Sequence, residues 1–145
     1  MAFTNPGRDK RKEILEGADT IAVVGLSDKT DRTSYMVAQA MQKRGYRIIP
    51  VNPSVEGEIL GERCYPSLKE IKEPIDIVNV FRRSEFTPDI AKDAVEAGAT
   101  TLWLQQGIFN EQAAEMAGRA GLNVIMDSCI KVEDAILQPS RPAKQ

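Results

Sequence analysis

Apolar positions along the chain fall into short, nearly continuous runs separated by stretches with helical spacing. Thr20-Ile21-Ala22-Val23-Val24 is the first run, ending at Gly25; a run without polar alternation suits a strand buried on both faces. The segments 46–51, 75–81, 100–104 and 122–126 share this character, being rich in β-branched or aromatic residues and bounded by turn formers. Between the first two runs, Tyr35, Met36, Ala38, Ala40 and Met41 put an apolar face on a helix predicted over 34–44 and stopped by Gly45. Thr87 as N-cap and Pro88 in the first turn, followed by Ile90, Ala91, Ala94 and Val95, predict a second helix reaching 97, closed by Gly98. Asn110 caps a third, containing Ala113, Ala114, Met116 and Ala117. Helices are also expected over 8–16, before Gly17, and over 130–137.

Strands alternating with helices of roughly ten residues imply right-handed crossovers. The expected fold is therefore α/β: a single Rossmann-like, doubly wound domain with a mostly parallel five-stranded sheet covered by helices on both faces. The stretch 56–68, broken by Gly57, Gly61 and Pro66, reads as a loop with short extended pieces and one helical turn. The domain is expected to span 1–138, with 138–145 fraying and 139–145 forming a flexible tail.

Composition narrows the chemistry more than it narrows the fold. The chain of 145 residues is 42% hydrophobic and 28% charged, enough for one core without metal or disulfide staples. With 19 basic and 21 acidic side chains its net charge is −2, so no global cationic field exists to hold nucleic acid. Cys64 and Cys129 form neither a metal-spaced cluster nor a disulfide framework, and no apolar run suits a membrane span or a secretory signal, so a cytoplasmic location is expected. The chain contains no histidine. That removes Ser-His-Asp triads, Cys-His pairs, histidine metal sites and phosphohistidine intermediates; neither catalytic nor metal-binding residues are assigned.

In an open α/β sheet the ligand lies at the carboxyl ends of the strands, near the point where strand order reverses. The loop from Gly25 to Ser34 runs from a strand to a helix N-terminus, where Ser27, Thr30, Thr33 and Ser34 offer hydroxyls and Lys29 and Arg32 offer charge for a phosphate. The bland reading of this loop is an ordinary strand-to-helix turn with its glycine and cap. It lacks the Walker A and dinucleotide glycine patterns, and Asn52-Pro53 stands where NAD sites place a ribose-binding acid. Arg82 and Arg83 after Phe81 suit phosphate, though adjacent surface arginines are commonly only solvated. Gln105, Gln106 and Gly107 suit the lining of a cleft. Cys129, at a helix start, is either a reactive thiol or, on the plainer reading, buried packing.

Taken together, Ile21–Ser27, Pro50–Pro53, Leu60–Glu62, Cys64–Leu68, Asp76–Val78, Phe81–Glu85, Trp103–Gly107 and Met126–Cys129 resemble the small stand-alone CoA-binding proteins. Their fold is similar to the N-terminal CoA-binding domain of the succinyl-CoA synthetase α subunit. The resemblance implies a CoA or acyl-CoA ligand across the carboxyl edge, its phosphates near Gly25, Leu26, Ser27, Lys29, Arg32, Thr33 and Ser34. It implies that Asn52 and Pro53 flank the nucleotide, that Phe81 and Arg82 border the adenosine or its phosphates, and that Gln106 and Gly107 lie toward the pantetheine arm. The chain departs from the pattern at Ser128, where relatives often carry a basic residue. The reading is noncatalytic binding of CoA or acyl-CoA, with a partner enzyme in view and neither nucleic acid nor membrane. The alternatives are an NAD(P)-binding oxidoreductase-like module, NADP being the more compatible of the two, and an acyl-CoA synthetase subunit completed in trans.

Overall fold

A computed structural model describes residues 3–141. After α1 (Arg8–Gly17) come β1 (Thr20–Val24), α2 (Thr33–Lys43) and β2 (Arg47–Val51). The broken stretch forms a small hairpin, β3 (Glu58–Ile59) with β4 (Glu62–Arg63), and a 3-10 turn over Leu68–Glu70. The chain continues through β5 (Ile77–Val80), a 3-10 turn at Ser84–Phe86, α3 (Thr87–Glu96), β6 (Thr101–Leu104), α4 (Glu111–Arg119), β7 (Asn123–Ile125) and α5 (Ile130–Leu137).

The main sheet has the order β2-β1-β5-β6-β7, and every pairing in it is parallel. Each strand alternates between two apolar faces. Ala22, Val24, Val78 and Val80 point to the layer holding α3 and α4; Ile21, Val23, Ile77 and Trp103 point to the layer holding α1, α2 and α5. A Rossmann-like α/β domain is thus the fold, and the continuous apolar runs follow from burial on both faces. The chain builds outward from β1 to β2, then returns to the other side of β1 at β5. This reversal places the switch point between the carboxyl ends of β1 and β5.

Three local expectations are revised. β5 starts after Asp76 because that residue closes the amino end of the sheet: its carboxylate accepts the N–H groups of Asp19 and Thr20, both at 2.9 Å. Thr87 is the first residue of α3 and not its cap; its hydroxyl donates to the Ser84 carbonyl at 2.6 Å, and Phe86 takes the cap position. Pro139 to Arg141, within the expected tail, are docked. The Pro139 carbonyl accepts from Arg44 at 3.3 Å, Ser140 N–H donates to Glu16 at 2.7 Å, and Arg141 donates to the Leu15 and Ala18 carbonyls at 3.1 and 2.7 Å. The remainder of that tail, 142–145, lies outside the described residues. Asn110 caps α4 as expected, its side chain accepting from Ala113 N–H at 2.9 Å. No helix among the described residues is long and apolar enough to cross a membrane, and no group of metal-ligating side chains occurs among them.

Candidate ligand site

The switch point is closed by glycine. Gly25 has φ +89°, and a Cβ there would lie 2.5 Å from the Phe81 carbonyl oxygen and 3.1 Å from Cδ of Arg82. Parallel pairing continues through it, with Gly25 N–H donating to Val51 O and Phe81 N–H to Val24 O, both at 2.8 Å. The missing side chain is therefore required first by the end of β5, which brings Arg82 against the first loop.

That loop is internally laced. Ser27 N–H donates to Ser34 Oγ and Lys29 N–H to Ser27 Oγ, both at 3.0 Å, leaving each hydroxyl its own proton to donate. Leu26 is wholly buried, and its carbonyl accepts from Asn52 Nδ2 at 3.0 Å. The Asn52 oxygen accepts from Ser54 N–H, making an Asx turn at Pro53. Asn52 thus ties the end of β2 to the first loop, and its side chain is already engaged. α2 begins at Thr33 without a side-chain cap, so the positive end of its dipole has no acceptor from that position. Lys29 and Arg32 are exposed and form no ion pair among the described residues.

Beside this loop opens a cleft of about 690 Å³, within the usual range for small-molecule sites. Of the residues expected from sequence, it gathers Thr33, Phe81, Arg82, Arg83, Gln106 and Gly107. It does not gather Gly25, Leu26, Ser27, Lys29, Arg32, Ser34, Asn52 or Pro53, which belong to the adjoining loops. Neither Arg82 nor Arg83 has a carboxylate partner among the described residues, although Glu85 shares the cleft. The Arg82 guanidinium sits over the Phe86 ring, 4.9 Å from its centroid.

Five further residues line the cleft beyond those assigned: Ser84, Glu85, Gln105, Ile108 and Cys129. Ser84 joins its walls, the hydroxyl accepting from Phe109 N–H at 3.1 Å and the carbonyl from Asn110 Nδ2 at 3.1 Å. Nothing local marks Ser84 as a cleft residue, because the two partners by which it joins the walls lie 25 and 26 residues away. Asp127, at φ +55°, accepts Gly107 N–H at 2.7 Å and so holds the Gln106-Gly107 turn. Cys129, read as buried packing on the plainer view, is half-buried on the cleft wall at the start of α5. Cys64 is the buried thiol; burial is the main cause pushing its pKa up, which keeps it protonated.

Comparison with known proteins gives the family of the chain. A Bacillus subtilis protein, the uncharacterized YneT, is 55% identical over 132 residues, covering 91% of this chain and 97% of its own. The solved structure of a hypothetical protein from Pyrococcus horikoshii superposes with a TM-score of 0.88 at 32% identity, covering 95% of this chain and 99% of that one. An ADP-forming acetate–CoA ligase of Methanocaldococcus jannaschii is 21% identical over 134 residues, 87% of this chain but only 19% of the ligase. Thus the chain corresponds to one part of that larger enzyme. Residues 19–135, which include all seven strands and the whole carboxyl edge, match the model described as CoA binding domain, and the chain belongs to that family.

Proposed function

We propose that this protein binds coenzyme A or an acyl-CoA without chemical conversion, its phosphates held between the first loop and the arginines after β5. The observation that carries the reading is the pair Arg82 and Arg83: two guanidinium groups at the switch point, on a ligand-sized cleft, with no carboxylate among the described residues engaging them. A CoA phosphate supplies the missing anion. Its 3′-phosphate carries about −1.5 to −2 charges, and a hydrogen bond to a charged group contributes roughly 1.5–3 kcal/mol. The uncapped start of α2 and the hydroxyls of Ser27, Thr33 and Ser34 offer further donors on the same side. The absence of histidine speaks against a phosphohistidine relay within this chain.

The experiment is calorimetric titration with CoA, dephospho-CoA, NAD and NADPH at one salt concentration. Saturable CoA binding that weakens when the 3′-phosphate is removed supports the reading. Binding of NADPH alone would move the site to the oxidoreductase-like class, and no binding by any of the four would overturn the CoA reading. The match to 19% of a ligase favours a second reading, in which a partner protein supplies the rest of a ligase. Pull-down from a producing cell, with and without added CoA, tests it; loss of every specific partner removes it.

A further inference from the structure

We propose that the side-chain amide of Gln105 donates a hydrogen bond to a carbonyl oxygen of the bound ligand, making Gln105 a specificity-determining residue for the arm beyond the phosphates. This inference rests on the CoA reading above.

Gln105 directly follows β6 and is only 4% exposed, yet it forms part of the cleft wall. A polar side chain buried this deeply carries a desolvation cost unless its groups are paired. Its oxygen is paired twice, accepting from Asn79 Nδ2 at 3.2 Å and from the Ile130 N–H at 3.3 Å. The second contact fixes the direction of the amide. A backbone N–H can only donate, so the atom facing Ile130 must be the oxygen and the nitrogen must face away. Asn79, itself 1% exposed, is held by the Trp103 carbonyl at 3.4 Å, which strengthens the lock.

The Gln105 nitrogen has no acceptor among the described residues, and the atoms that are both fully enclosed and unpaired are only Nε and Nη2 of Arg141. Nε2 of Gln105 therefore reaches the cleft as a fixed, neutral donor without a partner. Its surroundings select the ligand group. The formal cations of the cleft, Arg82 and Arg83, follow β5 and suit phosphate, whereas Gln105, after β6, presents a neutral amide. A neutral donor on a buried stem matches a carbonyl oxygen, which is cheaper to desolvate than an anion. The pantetheine arm of CoA carries two amide carbonyls, and an acyl-CoA adds a thioester carbonyl.

Gln105→Glu is the diagnostic variant, since it keeps an oxygen for Asn79 and Ile130 and replaces the N–H donor with a second oxygen. Its affinity for CoA should fall by about tenfold or more, while adenosine 3′,5′-bisphosphate, which lacks the arm, binds as to wild type. A larger loss for acetyl-CoA than for CoA assigns the thioester carbonyl; equal losses assign an amide carbonyl of the arm. In the wild-type protein, the side-chain NH2 resonances of Gln105 should shift on adding CoA but not on adding the bisphosphate, a readout independent of how the variant folds. Unchanged CoA affinity in the variant, or Gln105 resonances unmoved by saturating CoA, would overturn the inference while leaving CoA binding intact. Failure of the wild-type protein to bind either CoA or the bisphosphate would instead remove the CoA reading, and this inference with it.

Discussion

At the amino edge of the sheet, just before β1 and β2, arginines are answered by protein. Arg44 Nε donates to Asp134 at 2.7 Å, and Arg141 lies 3.5 Å from the centre of the Tyr46 ring while donating to carbonyls at the end of α1. Tyr46 completes the group by donating to the buried Asp134 carboxylate at 2.8 Å. At the carboxyl edge, Arg82 and Arg83 have no carboxylate partner among the described residues and line a cleft. One residue type thus serves two purposes. Where carboxylate and carbonyl acceptors are built in, arginine joins helices to the sheet; where they are withheld, the guanidinium is left at the cleft.

The largest expected effect breaks the amino-edge group. Asp134→Ala leaves Tyr46 and Arg44 without their shared acceptor and should cost about 3 kcal/mol, at the low end for a buried pair because Arg44 is partly exposed. Thermal unfolding should then start about 10 °C lower, with CoA affinity at low temperature unchanged. A protein of undiminished melting temperature would show that the group is dispensable. Arg82→Ala should give the converse result, a loss of CoA affinity of roughly tenfold or more with little change in melting temperature. Equal CoA binding by this variant would remove Arg82 from the site.

Arg141→Ala should be milder, about 1–2 kcal/mol, because the lost stacking and helix-end bonds are offset by two buried guanidinium nitrogens that have no hydrogen-bond partner, Nη2 meeting only Asp19 at 3.9 Å. Differential scanning calorimetry separates it from Asp134→Ala. The smallest effect lies outside neutral pH. Burial, then the hydrogen bond to Asp134 and the charge of that carboxylate, hold the Tyr46 hydroxyl protonated well above the ordinary tyrosine range. A pKa raised in the folded state contributes stability that is full below the unfolded value, about 10, and lost as pH rises through the folded one. Melting temperature should therefore decline above about pH 10, and Tyr46→Phe should flatten the decline. An identical slope in both proteins would assign it to other groups.

Much of this was legible residue by residue. The Asn110 cap, the β1 run and the helix after Gly25 depend on neighbours a few positions away, so spacing suffices to find them. Arg82, Arg83, Gln106 and Gly107 were found because strand ends on a parallel sheet converge on one edge. Thr87 misled because a threonine before proline looks like a cap, whereas its hydroxyl prefers the Ser84 carbonyl in the preceding turn. The bond from Phe109 to the Ser84 hydroxyl and the docking of Arg141 were illegible, the partners lying 25 residues and more than a hundred residues away.

Periodicity and punctuation alone determined the strands, the helices, their alternation and hence a parallel sheet, since each reflects a local preference or a side chain's burial. Tertiary structure decided which groups remain available. The Gly25 position is filled by the Phe81 carbonyl, the Asn52 side chain is engaged by Leu26 and Ser54, and the Gln105 amide oxygen is engaged by Asn79 and Ile130. Hydrogen-bond capacity is finite, and a sequence lists donors and acceptors without saying which of them folding will satisfy.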